Sequence, residues 1–408
     1  MIAQRPRIAL VTPNLPVPHD LARGRYIHAT AIELSKLAEV RVFLPQVRYP
    51  RLPAALGPRT FVHGLVADDY RLPGIDLQAY SYPAVPGLSR VGNGVVGATA
   101  LAPRLRAFMP DLVLAYWVYP DGDAAVRAAR AIGVPCIVGG RGSDVHQRSG
   151  LLRWLTRRTL AKADSVLTVS QAMRRAVIDA YGIAPARVGC IVNGIDTAVF
   201  QPADRSSARA ALGIRPDARL VAYVGRMVEA KGLRELIEAF TALAAADRQV
   251  ELVLVGHGVM QAELRALAAA TGLGERIHFP GGMEPPDVAR WLAACNVLAL
   301  PSWSEGYPNV LVEAIASGRP VVASDVGGAA EIVDAGNGLL VPARDAPAFA
   351  AALAAALDRE WDAAAMSRAM SRGWDQVAAE TLAACRQVLG AAAVGAVACT
   401  SVPETGGG

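Results

Sequence analysis

RLVAYVGRMVEAKGLRELIEAFTALAAADRQVELVLVG, residues 219–256, decides the fold. Arg219–Gly225 is an apolar run that stops at glycine, Leu233–Ala245 repeats apolar residues at helical spacing, and Glu251–Gly256 is a second apolar run ending in glycine. Strand, helix and strand over so short a span make a parallel βαβ unit, because parallel neighbours need a crossover and a helix supplies it. Helices then cover both faces of the sheet, and strands buried on both faces carry continuous apolar runs instead of alternation.

The same pattern extends in both directions. Downstream, Arg276–Pro280, Asn296–Pro301 and Pro320–Ser324 read as strands, with helices at Met260–Thr271, Pro286–Ala294 and Asn309–Ala316. Upstream, Arg7–Pro13, Val40–Pro45, Asp111–Trp117, Pro135–Gly139, Ser165–Ser170 and Val188–Val192 read as strands, with helices at Tyr26–Leu37, Ala124–Ile132 and Gln171–Tyr181. Tyr49 to Asn93 is Pro-rich and irregular, holding loops and an extra strand or two whose order stays open. A turn-rich passage, Asn193–Asp196 through Gln201–Pro202, separates the two series. At roughly 150 residues per domain, 408 residues accommodate two lobes. The fold class expected is α/β, two doubly wound Rossmann-like lobes with a cleft between them and ligands at the carboxyl ends of the strands. The lobes fall at 1–195 and 196–372. A helix near Pro347–Leu357 carries proline where its missing N–H costs nothing. A helix within 373–390 is expected to return to the first lobe, and the small-residue tail 391–408 to be disordered.

Composition narrows the class. Hydrophobic residues make 53% and charged residues 19%, which excludes extended disorder. The net charge of +5 hides an asymmetry: residues 1–200 carry 24 Lys and Arg against 13 Asp and Glu, leaving 17 against 23 in the rest. A basic half at +11 beside an acidic half at −6 suits an anionic partner of the first half: a membrane surface, a phosphorylated acceptor or nucleic acid. Nucleic acid gains no support, since no recognised module accompanies the basic residues. Leu151–Arg158 reads as a basic amphipathic helix that either packs its apolar side on its own sheet or rests on an anionic membrane with Trp154 at the interface. Five cysteines without a CxxC pair suit reduced thiols. With no signal-peptide layout and no apolar run of ~18 residues, the expectation is a cytoplasmic protein, with the inner membrane face as a peripheral location.

Two constellations carry chemistry. In Ser304–Glu313 a strand ends, a tight loop follows and a helix begins near Asn309. A helix N-terminus offers unpaired N–H groups and partial positive charge, which suits a diphosphate. Glu305 before the helix and Glu313 one turn inside it can reach two ends of one ligand; alternatively Glu305 caps the helix and Glu313 is solvated. In Gly225–Gly232, Arg226 and Lys231 lie between a strand end and a helix start, where cations are misplaced unless an anion joins them. Together they can neutralise charge developing on a diphosphate leaving group. Asp121–Gly122–Asp123 imitates a metal-binding pair, but stands at a helix start, where acids serve as caps. Gly139–Gly142 and Gly256–Gly258 fall short of a dinucleotide fingerprint, and His28, His146 and His257 have no triad partners.

The chain resembles the retaining GT-B glycosyltransferases of family 4 over nearly its whole length. Glu305 and Glu313 match the E-x7-E pair, Arg226 and Lys231 the phosphate motif, and Val192–Asp196 with Phe200 and Pro202 the signature between the lobes. Gly256–His257–Gly258 and Gly281–Gly282–Met283 resemble two further donor-lobe loops. The resemblance implies catalytic roles for Glu305, Arg226 and Lys231, the two cations on the diphosphate and Glu313 on the ribose. Gly306, Tyr307, Pro308, Asn309 and Val310 would hold the donor sugar, with Gly256, Gly258, Gly282 and Met283 also lining the donor. It further implies retention, no metal ligands and no cofactor beyond a nucleotide-diphosphate sugar, UDP- or GDP-linked, as donor, with a polysaccharide or lipid-linked glycan as acceptor. In the first lobe, Gly24 and Arg25 stand where relatives have a Gly-Gly loop, and Arg141 stands in place of a histidine, with Asp144 after it; these four are candidates for phosphate or acceptor. A nucleotide-sugar epimerase of the same architecture would turn over donor without acceptor, using other acids. A non-catalytic nucleotide-sugar-binding module would not need Glu305, Glu313, Arg226 and Lys231 intact.

Overall fold

The computed structural model describes residues 5–18, 20, 23–49, 66–67, 69–85, 89–146 and 149–400. Parts of the stretches expected at 18–26 and 49–93, and the end of the tail at 401–408, lie outside them. The chain divides into two compact units, residues 1–192 with 374–408, and 193–373.

The first unit holds a parallel sheet of β1 (Arg7–Val11), β2 (Glu39–Arg48), β3 (Asp76–Pro83), β4 (Leu112–Tyr116), β5 (Cys136–Gly139), β6 (Ser165–Thr168) and β7 (Val188–Cys190), in the order β3-β2-β1-β4-β5-β6-β7. Its helices are α1 (Arg25–Leu37), α2 (Asn93–Phe108), α3 (Asp123–Ile132), α4 (Ser143–His146), α5 (Gly150–Lys162) and α6 (Gln171–Tyr181). β2 runs past Pro45, where the sequence suggested an end. The last β1 residue, Val11, already pairs with Phe43, and Thr12 N donates to Phe43 O. The missing N–H of Pro45 therefore faces a side from which β1 has departed.

The second unit holds β8 (Arg219–Val224), β9 (Val250–Val255), β10 (Ile277–Gly281), β11 (Val297–Leu300), β12 (Val321–Ser324) and β13 (Gly338–Val341), in the order β10-β9-β8-β11-β12-β13. Around them lie α7 (Arg205–Leu212), α8 (Leu233–Ala246), α9 (Gln261–Ala270), α10 (Pro285–Ala294), α11 (Asn309–Ala316), α12 (Ala346–Asp358) and α13 (Ala363–Ala369). Every residue of β9 and β11 is buried, as a sheet covered on both faces requires. Asp204, Asp345 and Asp362 cap α7, α12 and α13 by accepting from Ser207 N, Ala348 N and Ala365 N at 2.8, 2.9 and 2.9 Å.

The last helix, α14, is Trp374–Thr400 and reaches ten residues beyond the end expected at 390, so 391–400 is helical where disorder was expected. It belongs to the first unit, where Ala378, Leu382 and Cys385 join the core beside α1. No helix among the described residues is long and apolar enough to cross a membrane.

Candidate functional site

The carboxyl edge of the second unit's sheet gathers four loops, laced by backbone hydrogen bonds. Gly225 N donates to Val255 O at 3.0 Å, Met227 N to His257 O at 2.9 Å, Gly256 N to Gly281 O at 2.8 Å, and Trp303 N to Ala230 O at 2.9 Å. A Cβ at Gly256 would stand 1.9 Å from Gly225 O, so only glycine lets these strand ends approach so closely. Gly258 backs onto Met227 in the same way, Gly282 lies against the His257 ring, and Met283 packs on the unit's core.

Within this frame Lys231 Nζ lies 2.6 Å from Glu305 Oε1, with the side chains 20% and 10% exposed. The two came from separate motifs, and the fold brings them together. Tyr223, near the end of β8, donates its hydroxyl to Arg226 O at 2.8 Å. Burial, reinforced by the nearby Glu305 carboxylate and opposed by Arg226, pushes that hydroxyl well above the usual tyrosine range. It therefore remains a donor and fixes the start of the cationic loop. Trp303 secures the loop carrying Glu305: Nε1 donates to Glu235 Oε1 at 3.1 Å, and the Arg344 guanidinium lies 4.1 Å from its ring centroid.

α11 starts directly after that loop. Pro308 is its N-cap and no side chain caps it, so Glu305 is not the helix cap; its carboxylate goes to Lys231 instead. Asn309 Oδ1 accepts from Asn193 Nδ2 at 2.9 Å, which ties the turn-rich passage at 193–196 to the helix start. Gly306 and Pro308 are buried, Tyr307 and Val310 pack against the core, and Glu313 is half-buried one turn further on. A first helical turn without a side-chain cap, with the Lys231 ammonium held on Glu305 in the loop before it, can attract an anion, and the Glu305 and Glu313 carboxylates can accept hydroxyl donors. Tyr223 and Trp303 were missed from sequence. Each is an aromatic beside a strand end whose residues are otherwise aliphatic or small, the one signal that could have found them.

The first unit uses its candidates differently. Asp144 is fully buried, and its Oδ1 accepts from Arg141 N at 2.9 Å and Gly142 N at 2.8 Å, while Oδ2 accepts from Val118 N at 3.2 Å. The Arg141 guanidinium lies over Tyr116, 3.8 Å from the ring centroid. The recess beside it, lined in part by Thr168, Val377 and Thr381, holds about 10 Å³, too little for a sugar. Gly24 is the left-handed N-cap of α1 at φ 60°, and Arg25, the first helical residue, is half-buried. Asp121 and Asp123 do not cap α3, a correction to the expected role. Gly122 is the N-cap with no side-chain bond, and Asp123 pairs with Arg127 at 2.7 Å one turn on. Asp121 is buried; desolvation pushes its carboxyl up to about 7, opposed by its own backbone N–H and by Arg23. Among the described residues no three His, Cys, Asp or Glu side chains converge as a metal site would need.

Comparison with known proteins agrees with the fold. Residues 24–199 match the family described as Glycosyltransferase Family 4, and residues 218–359 match Glycosyl transferases group 1. TuaC of Bacillus subtilis strain 168, a glycosyltransferase assigned to teichuronic acid biosynthesis, is 28% identical over 359 residues, 85% of this chain and 88% of that one. D-inositol 3-phosphate glycosyltransferase of Kribbella flavida is 39% identical over 205 residues, so the match spans about half of each chain, 47% and 48%. Among solved structures, sucrose-phosphate synthase from Thermosynechococcus elongatus superposes with a TM-score of 0.74 at 22% identity, covering 95% of this chain and 100% of that chain. HepE of Anabaena, in complex with UDP and glucose, superposes with a TM-score of 0.66 at 23% identity, covering 92% and 95%.

Proposed function

This chain belongs to glycosyltransferase family 4 and has the GT-B fold, and from that premise we propose that it moves a sugar from a nucleotide-diphosphate donor to a polysaccharide or lipid-linked glycan with retention of configuration. The observation that carries the donor side is the Lys231–Glu305 pair beside Arg226 and the side-chain-uncapped start of α11. Arriving diphosphate draws Lys231 and Arg226 to its oxygens, and Glu305, released from the ammonium, accepts hydroxyl donors from the sugar. Glu313, one turn inside α11, serves the ribose diol. The Gly306–Asn309 backbone holds the sugar, and the loops at Gly256–Gly258 and Gly282–Met283 line the rest of the donor. Complexes of HepE with UDP and with UDP-glucose support a uridine donor, with GDP-sugars the other class to test. A relative assigned to teichuronic acid biosynthesis, matched over most of both chains, supports a polymeric acceptor.

In the proposed reaction the acceptor oxygen bonds to the anomeric carbon on the face from which the diphosphate leaves. The carbon–oxygen bond to phosphate breaks, and the leaving phosphate takes the acceptor proton. Negative charge grows on the diphosphate, where Arg226, Lys231 and the helix end stabilise it without a metal ion. A thermal-shift screen against UDP-, GDP- and ADP-sugars tests this reading, since a ligand at 100 times its Kd stabilises by about 2.7 kcal/mol. One nucleotide class should raise Tm; no rise with any of them removes the donor assignment.

A further inference from the structure

The geometry points to a membrane-binding face on the first unit: we propose that the outer stripe of α5, with the turn at 89–95, rests on an anionic lipid bilayer. Leu155, Thr159 and Leu160 turn inward and hold α5 to its unit. Leu151, Trp154, Arg158 and Lys162 follow at intervals of three, four and four, so they share one face of the helix. The leading half of that face is open, Leu151 being 55% and Trp154 54% exposed, and Arg158 and Lys162 behind them are half-buried. Apolar residues lead the stripe and cations end it, and the Arg158 guanidinium stays within 5.5 Å of the Trp154 ring centroid.

A second apolar group adjoins it. Tyr119 donates its hydroxyl to Val91 O and also lies within electrostatic reach of Arg158. The turn carrying Arg90 and Val91 and the helix α5 thus both adjoin the short segment 118–122 that carries Tyr119. Val91 and, in the first turn of α2, Val95 are 46% and 49% exposed.

Charge selects the occupant. Arg158, Arg127 and Arg130 crowd Lys162, with Asp123 opposing them, and Asp123 is itself paired with Arg127. Among the described residues no ion pair joins Arg158 or Lys162 to a carboxylate. Arg153, in contrast, stacks on Tyr181 and donates to Ala180 O, an intramolecular task. Clustered cations around exposed Trp, Leu and Val match the interfacial layer of an anionic bilayer, where phosphates meet the cations and apolar side chains reach the acyl boundary. A nucleic acid would satisfy the cations and leave Leu151, Val91 and Val95 in water.

The test is co-sedimentation of the full chain with vesicles of phosphatidylcholine alone or with phosphatidylglycerol, across a salt series. Binding should occur only with phosphatidylglycerol and fall as salt rises, because attraction of this kind is screened within about 8–10 Å at physiological salt. R158Q with K162Q should weaken partitioning roughly 30-fold, at ~1 kcal/mol per cation. R248Q with R368Q, an equal charge loss at exposed residues of the second unit, should change it little. Trp154→Ser with Leu151→Ser should weaken binding while leaving its salt dependence intact. Equal binding to neutral vesicles, no binding at low salt, or equal losses in both charge variants overturns the proposal. So does binding to duplex DNA, but not to vesicles, that R158Q with K162Q abolishes.

Discussion

At the edge of the six-stranded sheet, Lys231 and Glu305 hold each other through one contact of 2.6 Å. At the edge of the seven-stranded sheet, Asp144 holds three backbone N–H groups of its own loops, and Arg141 lies on Tyr116. The first arrangement is exchangeable: an ion pair can be replaced, partner for partner, by an anion on the lysine and hydroxyls on the glutamate. The second is structural, because releasing Asp144 would leave buried N–H groups without acceptors. Charged residues in strand-end loops thus form an exchangeable ion pair in one unit and a fixed backbone anchor in the other. Motif matching alone does not separate them.

The largest effect expected from this contrast is catalytic. Arg226→Ala or Lys231→Ala should reduce sugar transfer by about 100-fold or more, as for other groups that stabilise a developing anion, with Tm little changed in Arg226→Ala and lowered in Lys231→Ala, which strands the largely buried Glu305 carboxylate. Wild-type rates in both variants would show that the donor is gripped elsewhere. Asp144→Ala should invert the pattern. Calorimetric unfolding should show a loss of roughly 3 kcal/mol in the first unit, and a stable Asp144 variant with impaired transfer would move Asp144 into the ligand site.

Asp121 sharpens the contrast through pH. Its folded carboxyl titrates at about 7, above the ordinary aspartate value of 3.8. Between those values the folded state keeps a proton that the unfolded chain has lost, so this group's contribution to stability falls as pH rises through that range. Asp121→Asn should therefore be more stable than wild type at pH 8, with the gap closing toward pH 4. A constant gap in a series of melts would remove Asp121 from the account. The smallest effect expected is none: excess EDTA should leave transfer unchanged. Loss restored by Mg²⁺ or Mn²⁺ would return Asp121 and Asp123 as metal ligands.

The second unit was the more legible in sequence, for a physical reason. Strands such as Val250–Val255 are buried on both faces and stand out as apolar runs, and α11 spans Asn309–Ala316 as its periodicity indicates. β13 escaped because it is short and Leu340 is exposed. In the first unit, α2 was not recognised, since Gly94, Gly97 and Pro103 argue against a helix. The structure explains Gly94: a Cβ there would stand 2.3 Å from Asp123 Oδ2, so glycine lets α2 close on α3. β3, polar at Gln78 and Ser81, lay hidden in the Pro-rich stretch. At the site, the residue types in Arg226, Lys231, Glu305 and Glu313 were legible. The pairing of Lys231 with Glu305 was not, because it spans 74 residues and depends on tertiary structure.

Titration calorimetry with a nucleoside diphosphate tests the central claim most directly, comparing wild type with the Arg226→Ala, Lys231→Ala double variant. Wild type should bind UDP or GDP. The variant, folded by circular dichroism, should bind at least about 100-fold more weakly, since two charge-assisted phosphate contacts are lost at about 1.5–3 kcal/mol each. Undiminished affinity in that folded variant would contradict a donor site built on the Arg226–Lys231 loop.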